Sequence, residues 1–360
     1  MKKTILIITS LILGVIATII LACIIFYNIN LKAVSNESTE VEFMVDSGST
    51  YYNVISKLKD ENLIRNELVF KLYIKFNKVN DIQAGTYKLN KNMSVFDIVE
   101  VFSKGNTYNP DAIVITFKEG KHMRSIASTI AEFTNNTEDT VYNLIKDKEY
   151  LNSLINDYWF IDESILNTNI YYSLEGYLYP NTYEFKNKDV SVKEIFGTML
   201  DEMDKQLNPY KTDILSNSYS VHELLTLASV VELEGANSND REGIAGVFYN
   251  RLKKGEPLGS DVTTYYAEKI EMSDRDLYSS EINEANNYNT RSYHLAGKLP
   301  IGPICNPSIK SIKAVLYPES HDYYYFVADI NKKTYFSKTY KEHLATRDDL
   351  IEAGLWYIYD

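Results

Sequence analysis

LASVVELEGAN, residues Leu227 to Asn237, ends an apolar run with two glutamates one residue apart. In the helix that holds it, Leu224, Leu225, Leu227, Ala228, Val230, Val231 and Leu233 leave only Thr226 and Ser229 as polar interruptions. A helix that is apolar nearly all round belongs inside a domain, so SVHELLTLASVVELEG, Ser220 to Gly235, is expected at the centre of one. At about 100° per residue Glu232 falls in line with Leu225 and Ala228, whereas Glu234 points about 200° away, beside Leu227 and Val230. A buried carboxylate is costly unless paired or protonated. Either glutamate can therefore be a general acid whose pKa is raised by apolar surroundings. The bland alternative places both in a frayed last turn capped by Gly235, Ala236 and Asn237. Periodicity does not choose between them.

Outward from this helix, helical patterns and short strands alternate irregularly from Ile113 onward. HMRSIASTIAEF, TVYNLI and VKEIFGTMLDEMDKQL have apolar residues at three and four spacing, and YLYPNTYEF, YYYFVAD and KTYFS read as strands. The fold class this implies is α+β. A weak repeat runs through the first half. FMVDSGSTYYNVISKL, Phe43 to Leu58, and ITFKEGKHMRSIASTI, Ile115 to Ile130, each give a strand, a glycine turn at Gly48 or Gly120, and a helix. YKLNKNMSVFDIVEVF, Tyr87 to Phe102, has the same rhythm with Asn92 in the glycine's place. The span 41–106 has the size of a compact α+β module, and TYNPDA, with Pro110, reads as the boundary before a larger domain at 111–360.

At the N-terminus, TILIITSLILGVIATIILACIIFY, Thr4 to Tyr27, carries no charge over 24 residues. At about 1.5 Å per residue this crosses a hydrocarbon core of roughly 30 Å. Lys2 and Lys3 precede it, which predicts residues 1–3 in the cytoplasm and everything after Tyr27 outside. A cleaved signal peptide has a shorter apolar region. ILAC at Ile20 to Cys23 faintly resembles a lipoprotein cleavage box, but the segment stays apolar beyond the cysteine. The polar, aperiodic residues 28–40 read as a tether. With Cys23 in the bilayer and Cys305 outside, no intrachain disulfide is expected.

The 360 residues, 45% of them hydrophobic, suffice for an anchor and two domains. A net charge of −12 and the lack of a basic stripe argue against a nucleic-acid partner. Thirty tyrosines are an unusual number. Such rings stack on sugars, although packing is the commoner use of a single tyrosine. No GxxxxGK[ST], GxGxxG, HExxH, CxxC or GxSxG occurs, and five scattered histidines make no metal-ligand spacing. No cofactor or metal is expected, and carboxylates are what remains for chemistry.

LASVVELEGANSNDREGIAGVFYNRLKKGEPLGSDVTTYYA, Leu227 to Ala267, resembles the central motif of the YceG-like family, the MltG-type endolytic murein transglycosylases. SLEGYLYPNTYEF at Ser173 to Phe185, YNTRSYHLAGKLPIGPICNPS at Tyr288 to Ser308 and YYYFVADINKKTYFSKTYKEH at Tyr323 to His343 continue the match in the family's order. The resemblance implies a single membrane anchor, a LysM-like module at 41–106 and a catalytic domain at 111–360. It also implies cleavage of the β-1,4 bond between N-acetylmuramic acid and N-acetylglucosamine within nascent glycan strands, leaving a 1,6-anhydromuramyl end. The family's essential glutamate maps to Glu232.

One carboxylate suffices for that chemistry, whereas an ordinary glycosidase needs two. The acid protonates the leaving oxygen and then takes the proton of the muramyl C6 hydroxyl, which attacks C1 of the same sugar. By position in the family motifs, Glu175, Asn250, Asp261, Thr263, Tyr288 and Asn289 are candidates to hydrogen-bond the sugars or orient Glu232. Arg241 and Arg251 are candidates to pair with a carboxylate, and Glu234 is expected to support the site. The glycine and prolines of PIGPICNPS, Pro300 to Ser308, are expected to shape a loop. Many relatives read LQTDPT where this chain has LGSDVT, so Gly259 and Val262 replace a glutamine and a proline, which bears on the cleft wall. NKKTYF likewise lacks the glycine and histidine common before the final aromatic strand. The module at 41–106 is either a binder of N-acetylglucosamine chains or a spacer. Partners implied are peptidoglycan strands, the membrane through residues 4–27, and wall synthases or division proteins. Two alternatives stay open: a silent, membrane-tethered glycan-binding scaffold, and a muramidase that uses water.

Overall fold

The computed structural model describes residues 2–105, 107–235 and 239–356. It is a mixed α+β structure in two compact units, Met1–Asp111 and Ala112–Asp360.

The first unit begins with helix α1 (Lys2–Leu31), whose stretch Leu6–Leu31 has a mean hydropathy of 2.8 and is long and apolar enough to cross a membrane. The helix runs past Tyr27, and Leu31 packs on the core of the module that follows. The residues read as a tether are tied down. Arg65 donates to the Ala33 carbonyl at 2.6 and 2.9 Å, and the Ser35 amide donates to the Lys91 carbonyl at 3.0 Å. The module then runs β1 (Glu40–Val45), α2 (Tyr51–Asp60), α3 (Glu67–Phe76), β2 (Gly85–Asn90) and α4 (Val95–Lys104). The strands pair antiparallel with Phe43 opposite Tyr87 and Val41 opposite Leu89. Alternation sends Phe43, Val45, Tyr87 and Leu89 inward, where Phe102 of α4 meets Tyr87 edge-on at 4.9 Å and Phe43 at 5.8 Å. Asn66 caps α3 and Ser94 caps α4 through side-chain bonds to the first-turn amides.

The second unit opens on β3 (Ile113–Thr116) and continues through α5 (Met123–Phe133), α6 (Glu138–Leu144) and α7 (Lys148–Asp157) to β4 (Thr182–Phe185). Helices α8 (Val192–Leu207), α9 (Lys211–Leu215), α10 (Val221–Glu234), α11 (Arg241–Lys254), α12 (Asp261–Glu268), α13 (Ser279–Asn283) and α14 (Ile309–Leu316) follow. The chain ends with β5 (Tyr325–Ala328), β6 (Thr334–Ser337) and α15 (Tyr340–Glu352). Strands β3 and β4 form one antiparallel pair, and β5 and β6 form another. Of YLYPNTYEF only the last four residues are strand. Pro180 has no amide proton to give to a ladder, and the preceding residues turn instead.

Helix α10 lies at the centre of this unit, packed against α14, α11 and α12. It starts on a capping box, with Ser220 and Glu223 exchanging side-chain and backbone bonds, and His222 to Val231 are buried save exposed Glu223. Both acids lie in the last turn of the helix, which ends at Glu234, but the Glu232 side chain is only 6% exposed and the Glu234 carboxyl is buried, so the turn is not frayed toward solvent. Gly235 has φ −71°, not the left-handed conformation of a glycine cap, and Ala236 and Asn237 lie outside the described residues.

Candidate active site

Glu232 sits where three helix ends meet, and its side chain is 6% exposed. Its Oε1 accepts from Arg241 Nη2 at 2.8 Å. Its Oε2 accepts from the Ser308 amide at 2.9 Å, Ser308 Oγ at 2.6 Å and Ser311 Oγ at 2.6 Å. Arg241 opens α11, Ser308 is the N-cap of α14, and Ser311 lies in the first turn of α14. The apolar surroundings inferred from the pattern of α10 therefore do not reach the carboxyl group itself. The helix walls are apolar, and its tip meets a polar cradle assembled from residues distant in sequence.

Gly235 makes room for this arrangement, and Gly120 makes the turn beside it. A Cβ on Gly235 would stand 2.9 Å from Arg241 Cγ and 3.0 Å from the Val231 carbonyl, so the glycine lets the arginine side chain pass close to the helix end. Gly120, at φ +72°, has its missing Cβ 3.7 Å from Glu232 Cγ, and its amide donates to the Asn306 carbonyl at 3.0 Å. Beside Glu232 opens a cavity of about 290 Å³ lined by Gly120, His122, Arg124, Tyr266 and Glu271 among others. His122 Nε2 lies 2.5 Å from Glu271. Burial and the Arg124 charge pull the imidazole's pKa down, against the opposing effect of Glu271.

Glu234 faces another cavity, about 640 Å³ in volume, with Asp261, Arg251, Arg291, Tyr293 and Tyr340 in its wall. Ser260 Oγ donates to Glu234 at 2.5 Å. Burial, aided by Asp261 and opposed by the Ser260 bond, pushes the Glu234 carboxyl up to about 7. The two acids thus address different spaces, as the 200° between them requires. Val262, one of the departures from the family motif, touches both cavities, and Gly259 lines the larger.

Glu175 is buried behind Tyr266. Both its oxygens accept from the Met123 amide, at 2.9 and 3.0 Å, and Tyr266 donates to it at 3.0 Å. Burial outweighs these bonds and pushes its carboxyl up to about 8. Asp261 pairs with Arg291 at 2.9 Å on the rim of the Glu234 cavity. The other candidates are engaged in the fold. Asn250 Nδ2 donates to the His321 and Tyr323 carbonyls, each at 2.9 Å. Thr263 and Thr290 exchange hydroxyl contacts at 2.9 Å, and Asn289 ties three carbonyls of residues 281–284. Tyr288 accepts from the Tyr171 amide at 3.0 Å and packs on Tyr171 and Tyr266. None of these four lines either cavity. Of the two arginines, Arg241 meets a carboxylate, whereas Arg251 donates to the carbonyls of Tyr324 and Leu258, both at 2.6 Å.

Ser308 and Ser311 were not singled out by the sequence. The available signal was the serine after Asn306 and Pro307 at the start of an amphipathic helix, and an N-cap is the ordinary use of such a serine. Here Ser308 does both jobs, accepting from the Ser311 amide and donating to Glu232. Among the described residues no cluster of His, Cys, Asp and Glu suits a metal ion.

The model of the YceG-like family matches residues 43–349. The chain belongs to the YceG-like family. An endolytic murein transglycosylase of Bacillus subtilis is 37% identical over 326 residues, which cover 90% of this YceG-like chain and 88% of that protein. One of Streptococcus pneumoniae is 32% identical over 86% of this chain and 58% of its own length. A crystal structure of a YceG-like protein from Listeria monocytogenes superposes with a TM-score of 0.61 at 33% identity, covering 86% of this chain and all of that one.

Proposed function

We propose that the protein is an endolytic murein transglycosylase in which Glu232 is the acid and then the base. The relatives' names give the reaction, and the observation that carries the residue is the cradle of Arg241, Ser308 and Ser311 beside a cavity. Glu232 hands its proton to the oxygen joining muramic acid C1 to the next glucosamine, and the C1–O bond breaks. The muramyl C6 hydroxyl bonds to C1 and gives its proton to the Glu232 carboxylate. The products are a 1,6-anhydromuramyl end and a free glucosamine hydroxyl, with the enzyme's proton restored. Because nucleophile and electrophile belong to one sugar, no water has to be positioned, and such intramolecular reactions reach effective concentrations of about 10⁵ M and above. Arg241 and the two serines hold the carboxyl in one orientation. The raised Glu175 and Glu234 carboxyls, Thr263, Tyr288, Asn289 and Asn250 support the cleft walls from behind.

By the same reading α1 is the anchor, with Lys2 and Lys3 on the cytoplasmic side and the second unit outside. The module at 41–106 is the LysM-like part. The test is incubation of the purified protein with polymeric peptidoglycan and mass analysis of the products. Products lighter by one water support the transglycosylase, and reducing ends mean hydrolysis. No cleavage by the unaltered protein means a scaffold. Glu232→Gln is expected to abolish anhydro ends and Glu234→Gln to keep them. The reverse outcome would move the acid to the larger cavity.

A further inference from the structure

Helix α3 has two apolar faces and only one of them is used. Val69, Phe70 and Ile74 enter the module's core, while Leu68 is 61% and Phe76 73% exposed. Leu68, Leu72 and Phe76 follow one another at four-residue spacing, about 40° apart around the axis, so they form a single outward stripe. Lys71 and Lys75 flank that stripe on one side, and Lys78 follows the helix. A helix with an exposed apolar stripe edged by lysines has the pattern of one that lies in a lipid–water interface.

What covers the stripe is indicated by its neighbour. Helix α3 packs against α1, and within this unit Leu31 joins the core that α3 helps to form. Tyr27, half-buried near the end of α1, adds its electrostatic influence to burial in raising the Tyr73 phenol. The contact therefore falls at the last turns of the apolar span Leu6–Leu31, at the level where tyrosines mark a membrane boundary. Arg65, in the loop leading into α3, clasps the backbone at Ala33 and Val34 and fixes the module on the end of α1. On the helical wheel the stripe lies between the Tyr73 side of α3 and its lysine side. Phe76 is thus the stripe residue nearest the Tyr73 side.

We propose that this face of α3 is seated in the membrane surface, its apolar stripe among the upper acyl segments and its lysines at anionic headgroups. The module is then a foot resting on the lipid, not a bead on a free tether. This rests on reading α1 as a membrane span.

The test uses the full chain reconstituted into vesicles of phosphatidylcholine and phosphatidylglycerol whose acyl chains carry bromine either near the headgroup or near the bilayer centre. Phe76→Trp places a fluorophore on the stripe, at a position exposed enough to tolerate it, and Ile16→Trp marks the span. Each is read as the emission added over the parent protein. The expected result is a blue-shifted Phe76→Trp emission, quenched more by shallow than by deep bromine, as a face buried about 5–10 Å would be. Ile16→Trp is quenched most by deep bromine. Adding Lys71→Glu and Lys75→Glu to Phe76→Trp reduces the shallow quenching. Ile16→Trp quenched with Phe76→Trp unquenched and unshifted overturns the proposal and leaves the span standing. A blue shift without quenching overturns it in favour of a protein covering the stripe. If neither tryptophan is quenched, the span itself is wrong and the seat falls with it.

Discussion

Glu175→Gln should stabilise the protein, and by an amount that grows with pH. The folded carboxyl is held up to about 8 against an ordinary value of 4.5. Below the lower value both states carry the proton and the full stability is present. Between the two, the unfolded chain releases a proton that the folded chain keeps, so stability falls by about 1.4 kcal/mol per pH unit. The accumulated loss is about 3 kcal/mol at pH 7 and levels off near 5 kcal/mol above pH 8. Glutamine has the same shape, can accept from the Met123 amide, and has no proton to lose. For a domain of this size 1 kcal/mol shifts the melting temperature by about 2–4 °C, so the variant should melt roughly 6–12 °C higher at pH 7. The advantage should vanish near pH 4.5. Glu234, held up to about 7, keeps a slope of the same sign in the background. Thermal unfolding of the second unit across this range is the assay. A melting difference that is flat with pH, or a wild type that gains on the variant as pH rises, would refute the reasoning.

Arg241→Ala leaves Glu232 buried without its ion-pair partner, which should cost about 3–5 kcal/mol in a denaturation experiment along with activity. Removing both hydroxyls of the cradle, in Ser308→Ala with Ser311→Ala, takes two hydrogen bonds from a charged acceptor at about 1.5–3 kcal/mol each. Its turnover on peptidoglycan should fall well before its fold is lost, measured as anhydro ends per minute beside a melting curve. Gly235→Ala drives a methyl into Arg241 Cγ and should lower turnover while leaving far-ultraviolet circular dichroism unchanged.

The centre of the fold was legible because α10 is apolar nearly all round, and such a helix belongs inside a domain. The strand–turn–helix rhythm of the first half was legible for a similar reason, since alternation followed by three and four spacing at 43–58, 87–102 and 115–130 becomes β1–α2, β2–α4 and β3–α5. The opposite aims of Glu232 and Glu234 also followed from helix geometry. What could not be read was the company each keeps. The partners of Glu232 come from 9, 76 and 79 residues away. Local pattern says nothing about contacts at that range. Thr263 and Asn289 stand in conspicuous motifs, and their place in the hydrogen-bond network shows that a motif can be distinctive because it builds a wall.

The loop before α14 has a consequence in time. Its Ser308 holds Glu232, its Asn306 is bonded to Leu178, Lys121 and Gly120, and the Ile304 amide donates to Ser229. These bonds join residues up to 185 positions apart in the chain. A chain made from its N-terminus has Glu232 and Arg241 in hand before residue 308 follows. Until then the carboxylate lacks the serine half of its cradle, so the site is completed only when the segment that starts α14 folds back onto α10.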